Sequence, residues 1–195
     1  QIATEKQSIA LADFRRDPDA TPIKTPSGKV EIYSARLADI ASKWELDSDE
    51  KITAIPEFCP SWESHLDTKA LEKYPLQMIG FHTKGRTHST YHPIPQLREA
   101  VPDEIWINPI DAAARGIESR DRIQVRNDRG IIEIHAKVTN RIAPGVVAVP
   151  QGAWTQSNNE GVDIGGCINT LTTLRTSPLA KGNPQHTNLV EIKRI

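Results

Sequence analysis

The residues of this chain best equipped for chemistry lie in a short polar run, Phe81-His82-Thr83-Lys84-Gly85-Arg86-Thr87-His88-Ser89. Arg86, Thr87, Ser89 and a backbone made pliable by Gly85 supply cationic and N–H or O–H donors, the set that an anionic group such as a pyrophosphate needs. His82, His88 and His92 fall within eleven residues, a density that raises zinc ligation. Their spacing does not define such a site, Pro93 interrupts the run, and no carboxylate neighbour is evident. Arg86 has two readings, a phosphate contact and a solvated loop arginine. Further along, Asp111 is a carboxylate that can accept from two adjacent donors, as on the edge of a nucleotide base. Asn108 either positions the same base or only caps a helix, and one side chain can serve both purposes. Gln151-Gly152-Ala153-Trp154 and Asn169 combine amides, a close-approach glycine and an aromatic surface suited to a flat heterocycle.

These groups need elements to hold them. Asn108 precedes Pro109 and three alanines, which predicts a short helix with Asp111 near its positive end and Gly116 as its left-handed stop. Ile123 and Val125 alternate into Asn127-Asp128-Arg129-Gly130, and Ile132 and Ile134 resume the period of two, so a hairpin is expected. Leu76, Met78 and Ile79 read as a strand that delivers the chain into the polar run, and Val146 to Val149 as a strand feeding Gln151. Upstream, Val30, Ile32 and Tyr33 have strand character after a turn at Thr25 to Lys29. Ser34 caps a helix through Leu37 and Ile40, and residues 43–66 form a surface excursion packed by Trp44 and Trp62. Pro75 to Ile195 thus holds about six short strands and two short helices, for which a small β-barrel is the natural container.

The 24 basic and 25 acidic residues nearly cancel, which argues against a nucleic-acid partner held through phosphates. Cys59 and Cys167 have no CxxC pairing and read as two buried thiols. No apolar run approaches the roughly 20 residues of a membrane span. The chain opens on Gln1, which leads to the expectation of a fragment of a longer polypeptide.

Seven segments in order resemble the C-terminal cofactor-binding domain of the dimethyl sulfoxide reductase family of molybdopterin oxidoreductases. They are Thr25 to Ser34, His82 to Ser89, Asn108-Pro109-x-Asp111-Ala112 with Arg115-Gly116-Ile117, Asn127 to Gly130, Gln151 to Trp154, Gly165 to Asn169 with Leu171-Thr172, and Leu189 to Ile192. The wording at the start and at Gln151 to Trp154 looks closest to the catalytic A subunit of anaerobic dimethyl sulfoxide reductases. One departure is Arg120, where the family usually has glycine before the aspartate. The resemblance implies a mainly β fold with short helices, a six-stranded double-psi β-barrel like that of aspartate decarboxylase. Residues 1–74 would be a lead-in segment and surface excursion, and residues 75–195 the barrel.

The same resemblance implies molybdopterin guanine dinucleotide as cofactor, present in the parent enzyme as a bis form on molybdenum, with iron–sulfur clusters outside this stretch. Its implied contacts are His82, Thr83, Gly85, Arg86, His88, Ser89, Asn108, Asp111, Gln151, Gly152, Trp154, Asn169 and Gln185, with no metal ligand and no catalytic residue among them. For Trp154 core packing stays open beside a site role, and for Asn169 a turn-stabilising one. The parent would reduce S-oxides or N-oxides by oxygen-atom transfer in anaerobic respiration, and this piece alone would be inactive. Its partners would be the upstream domains, an iron–sulfur electron-transfer subunit and a membrane anchor. Its place would be the bacterial periplasm or the membrane. Two other double-psi readings compete. A self-processing decarboxylase needs a Gly-Ser bond, which this chain lacks; a non-enzymatic interaction barrel would leave the polar run and Gln151 to Trp154 no reason to converge.

Overall fold

A computed structural model describes residues 11–195, which divide into two compact units between Cys59 and Pro60. In the first, α1 (Ala12–Arg16) and α2 (Ala35–Lys43) are the regular elements among the described residues. Ser34 caps α2 as its sequence predicts, accepting the Leu37 N–H at 3.2 Å. The expected strand at Val30 to Tyr33 does not form. Val30 and Ile32 are each 74% exposed and have no paired neighbour, and a strand without a ladder leaves its backbone to water. Cys59 is likewise exposed, correcting the expectation of two buried thiols; Cys167 is buried.

The second unit begins with α3 (Thr68–Lys73) and then builds a closed barrel of six strands. These are β1 (Leu76–Phe81), β2 (Glu104–Ile107), β3 (Arg122–Arg126), β4 (Ile131–Val138), β5 (Val146–Pro150) and β6 (Asn188–Arg194), in the order β1-β5-β2-β4-β3-β6. Helix α4 (Pro95–Ala100) lies between β1 and β2, α5 (Pro109–Ala113) follows β2, and a 3₁₀ turn (Ile168–Thr170) precedes β6. The architecture is the six-stranded, mainly β barrel that the alternating segments predict, with no free edge because the sheet closes. Met78, Ile105, Ile107, Ile123, Val125, Ile132, Val147 and Val190 have no solvent exposure and fill its interior. Each such side chain contributes roughly 1.5–3 kcal/mol by leaving water.

Pairing decides which loops are neighbours. β1 and β5 run parallel from Gln77↔Val146 to Phe81↔Pro150, so the loops leaving them emerge side by side. β2 runs antiparallel to β5, with Ile107 opposite Val147, so the helix it leads into belongs to the other end of the barrel. The β3–β4 hairpin closes through the Asn127 N–H and the Gly130 carbonyl, at 3.1 Å. Arg120, before β3, holds φ +76, a left-handed conformation that favours glycine, while its N–H donates to Ala136 O at 2.7 Å. The turn keeps the geometry for which glycine is the usual residue.

Candidate functional site

Four loops meet at the barrel end where β1 and β5 finish. The first is 82–92, leaving β1; the second is 151–156, leaving β5. They lock together through a glycine. At Gly152 the backbone has φ +86, and a Cβ there would lie 1.7 Å from the His88 carbonyl oxygen, so any side chain would force the loops apart. Gly165 does the same on the other flank, where a Cβ would meet Trp154 O at 2.2 Å. Gly80 leaves room for the Gln151 amide, which a Cβ would approach to 2.8 Å. Polar contacts reinforce the clasp. Gln151 N–H donates to Phe81 O at 2.9 Å, and the Trp154 indole donates to Ser89 O at 3.0 Å.

The third loop is organised by Asp163, a buried carboxylate that the sequence reading passed over. Its Oδ1 accepts from the Gln156 and Gly165 amides and its Oδ2 from the Cys167 amide and the Thr170 hydroxyl, all at 2.9–3.0 Å. Four donors on one carboxylate repay its desolvation, and they set the 3₁₀ turn that carries the exposed Asn169. The fourth loop precedes β6. His186 Nδ1 accepts the Gly80 N–H at 3.2 Å, and the Gln77 amide donates to His186 O, which brings Gln185 alongside β1.

Of the thirteen residues singled out from sequence, eleven therefore belong to these four loops: His82, Thr83, Gly85, Arg86, His88, Ser89, Gln151, Gly152, Trp154, Asn169 and Gln185. His82 and His88 stack edge to face with ring centroids 5.1 Å apart, and both are exposed. Trp154 is 56% exposed, so it is no core residue. Arg86 is not the solvated loop arginine of the simpler reading. Its side chain is 5% exposed, its Nε donates to Gln151 O at 2.8 Å, and its Nη1 lies 2.7 Å from Asp103. His92 is buried as well and does have a carboxylate neighbour, Asp103, at 3.0 Å. Among the described residues no group of three His, Cys, Asp or Glu side chains is arranged to hold a metal ion.

The other two, Asn108 and Asp111, stand apart. Asn108 caps α5 by accepting the Ile110 N–H at 2.9 Å and donates to Ile142 O at 2.8 Å; Asp111 Oδ2 accepts the Gly145 N–H at 2.8 Å. Gly145 immediately precedes β5, so both side chains sit at the opposite end of that strand from Gln151, on the order of 20 Å away by strand rise. Asn108 and Asp111 are not brought together with the other eleven by the structure. Their polar atoms fasten helix to turn.

A cavity of about 390 Å³ borders the first loop, outside the barrel. Phe81 and Trp106 line it with centroids 4.9 Å apart, and Lys137 and Arg141 lie over the Trp106 ring at 5.9 and 5.7 Å. Neither aromatic was singled out from sequence, although strand alternation places Trp106 outward, between the buried Ile105 and Ile107.

A barrel whose ligand-ready loops all gather at one end defines a cofactor-holding domain, and the comparisons agree. Residues 76–189 match the family described as molydopterin dinucleotide binding domain. The chain is 54% identical over 187 residues to "Dimethyl sulfoxide reductase DmsA" of Haemophilus influenzae, covering 96% of this chain and 23% of that protein. It is 36% identical over 190 residues to "Trimethylamine-N-oxide reductase 1" of Escherichia coli, covering 93% of this chain and 22% of that protein. Among solved structures, acetylene hydratase from Pelobacter acetylenicus shares the fold, with TM-score 0.71 at 21% identity over 92% of this chain and 25% of its own. The chain belongs to the molydopterin dinucleotide-binding domain family, as carried by dimethyl sulfoxide reductases. It spans about a quarter of the length of the relatives it matches.

Proposed function

We propose that this domain closes over molybdopterin guanine dinucleotide in a bis-dinucleotide molybdenum reductase. The observation that carries the reading is the convergence at Gly152: loops from β1 and β5 pack so tightly that no Cβ fits, and exposed donors cluster around the contact. The residues fit such a ligand. Thr83, Ser89 and the Gly85 region offer hydroxyls and amides for phosphate oxygens, His82 and His88 offer ring nitrogens, and the exposed Asn169 offers a paired donor and acceptor edge for a pterin, above the buried Gln151. The Trp154 indole N–H is spent on Ser89 O, which leaves its exposed ring as an apolar face beside the loops.

When bound, the molybdenum group supplies two-electron oxygen-atom transfer, by which the parent enzyme reduces an S-oxide or N-oxide. The part of this domain is to bind, orient and shield; none of its residues moves a proton or electron, and alone it is inactive. Iron–sulfur centres belong to other parts of the parent. The parent works with an iron–sulfur electron-transfer subunit and a membrane anchor, in the bacterial periplasm or at the membrane. An interaction barrel is disfavoured because the two polar segments share one end rather than opposite faces.

The test is the cofactor content of the full parent chain. Wild type is expected to carry pterin dinucleotide, and a Gly152→Ala chain that still folds is expected to lose most of it. Full retention in the Gly152→Ala chain would sink the placement of the site at these loops.

A further inference from the structure

Beneath the first loop lies a buried charge cluster that contact with a ligand does not account for. Asp103, just before β2, has a side chain 9% exposed and faces three cationic or imidazole groups: Arg86 Nη1 at 2.7 Å, His92 Nε2 at 3.0 Å and, from solvent, Arg98 Nε at 3.9 Å. Each buried partner also reaches the loop leaving β5. Arg86 Nε donates to the Gln151 carbonyl at 2.8 Å, and His92 Nδ1 accepts the Trp154 backbone N–H at 3.3 Å.

That second contact settles the histidine's tautomer. Because Nδ1 is an acceptor, the proton of the neutral ring sits on Nε2, where it points at the Asp103 carboxylate. The carboxylate thus selects the form of His92 that can receive the Trp154 amide. The Arg86 pairing is of a different kind. Neither Asp103 Oδ1 nor Arg86 Nη2 completes a directed hydrogen bond, so charge attraction in a poorly solvated place, rather than hydrogen-bond alignment, draws the guanidinium inward.

Resting on the cofactor reading above, we infer that Asp103 is a positioning residue for the dinucleotide site. Through Arg86 and His92 it grips the Gln151 carbonyl and the Trp154 amide, and so holds both loops in the register that Gly152 permits. Arg86 acts as a strut under the loop. The ligand is met by the exposed set, His82, His88, Ser89 and the Trp154 ring.

The experiment uses the full parent chain purified with its cofactor and follows the rate of dinucleotide loss by the fluorescence of the released, oxidised pterin. Asp103→Asn and His92→Gln are each expected to lose it roughly tenfold faster than wild type, about the effect of one buried hydrogen bond to a charged group. His92→Asn is the discriminating variant. Its amide oxygen stands near the Nδ1 position and accepts the Trp154 N–H without any tautomer being selected, so it is expected to release more slowly than His92→Gln. Combined with Asp103→Asn, it is expected to recover part of the loss. A merely structural cluster would lower melting temperature in all these variants without this rescue. Wild-type release rates in Asp103→Asn and His92→Gln would overturn the inference. If Asp103→Asn does not accumulate, equal rates for His92→Asn and His92→Gln would overturn it alone. A wild-type chain purified without pterin would instead defeat the cofactor reading beneath it.

Discussion

The two ends of the barrel spend polar residues differently. At the α5 end, Asn108 and Asp111 are turned to backbone partners, Ile110, Ile142 and Gly145, and fasten the helix to the turns beside it. At the loop end, Asp163 is fully hydrogen-bonded by its own loop and Asp103 pairs with Arg86 and His92 beneath the surface, while His82, His88 and Asn169 stay exposed. Residue type does not separate the two ends. A carboxylate at a helix start and an arginine in a glycine-bearing loop both look like ligand contacts, yet each makes polar contacts within its own protein. What marks the site is convergence of backbone, with glycines where loops touch, around side chains that have nothing else to do.

This contrast can be broken most forcefully at Gly152. Alanine there meets the His88 carbonyl and requires a left-handed φ, so local stability should fall by about 2–4 kcal/mol. Hydrogen exchange of β1 and β5 amides in the parent chain would read the loss, and unchanged protection would show that the clasp yields easily. Next in size is Asp111→Ala, which strands the Gly145 N–H and should loosen the start of β5 by about 1–2 kcal/mol while leaving cofactor content at the wild-type level. Loss of cofactor in that variant would return Asp111 to the ligand and erase the distinction between the ends. Arg120→Gly should act in the other direction. Relieving φ +76 is expected to stabilise the β3 entry by about 1 kcal/mol, visible as a raised melting temperature.

The smallest effect concerns the hairpin turn, where the Lys73 ammonium and the Tyr74 hydroxyl hold the Asp128 carboxyl below its ordinary value. A depressed carboxylate adds stability that is present above the unfolded value near pH 4 and is lost as pH falls through the folded one. Asp128 lies in water, so the gain is slight. The melting difference between wild type and Asp128→Asn should be steady from pH 5 to 7 and shrink below about pH 4. A difference that grew on acidification would reverse the assignment.

Much of the fold was legible. Ser34 and Asn108 as caps, Gly116 as a stop, the hairpin around Asn127 to Gly130, and the strands at Leu76 and Val146 all rest on contacts within a few residues or on period-two alternation, which a linear reading captures. Val30 to Tyr33 misled because strand propensity says nothing about whether a partner strand exists. Asp103 and Asp163 went unnoticed for a related reason. Asp103 is met by Arg86 seventeen residues back and His92 eleven back, and Asp163 draws four donors from an irregular loop, so no periodicity announces either. The Gly145 N–H that Asp111 accepts lies 34 residues on, so the sequence alone does not show that partner.

The sequence by itself therefore determined the elements and the family, since both depend on local propensity and on ordered short motifs. It also determined which loops carry the polar cluster. The tertiary structure alone decided which end of the barrel each element occupies: parallel pairing of β1 with β5 puts their loops together, and antiparallel pairing of β2 with β5 sends α5 away. It alone decided, too, which polar atoms remain free, because a side chain's availability depends on partners that closure of the sheet brings from far along the chain.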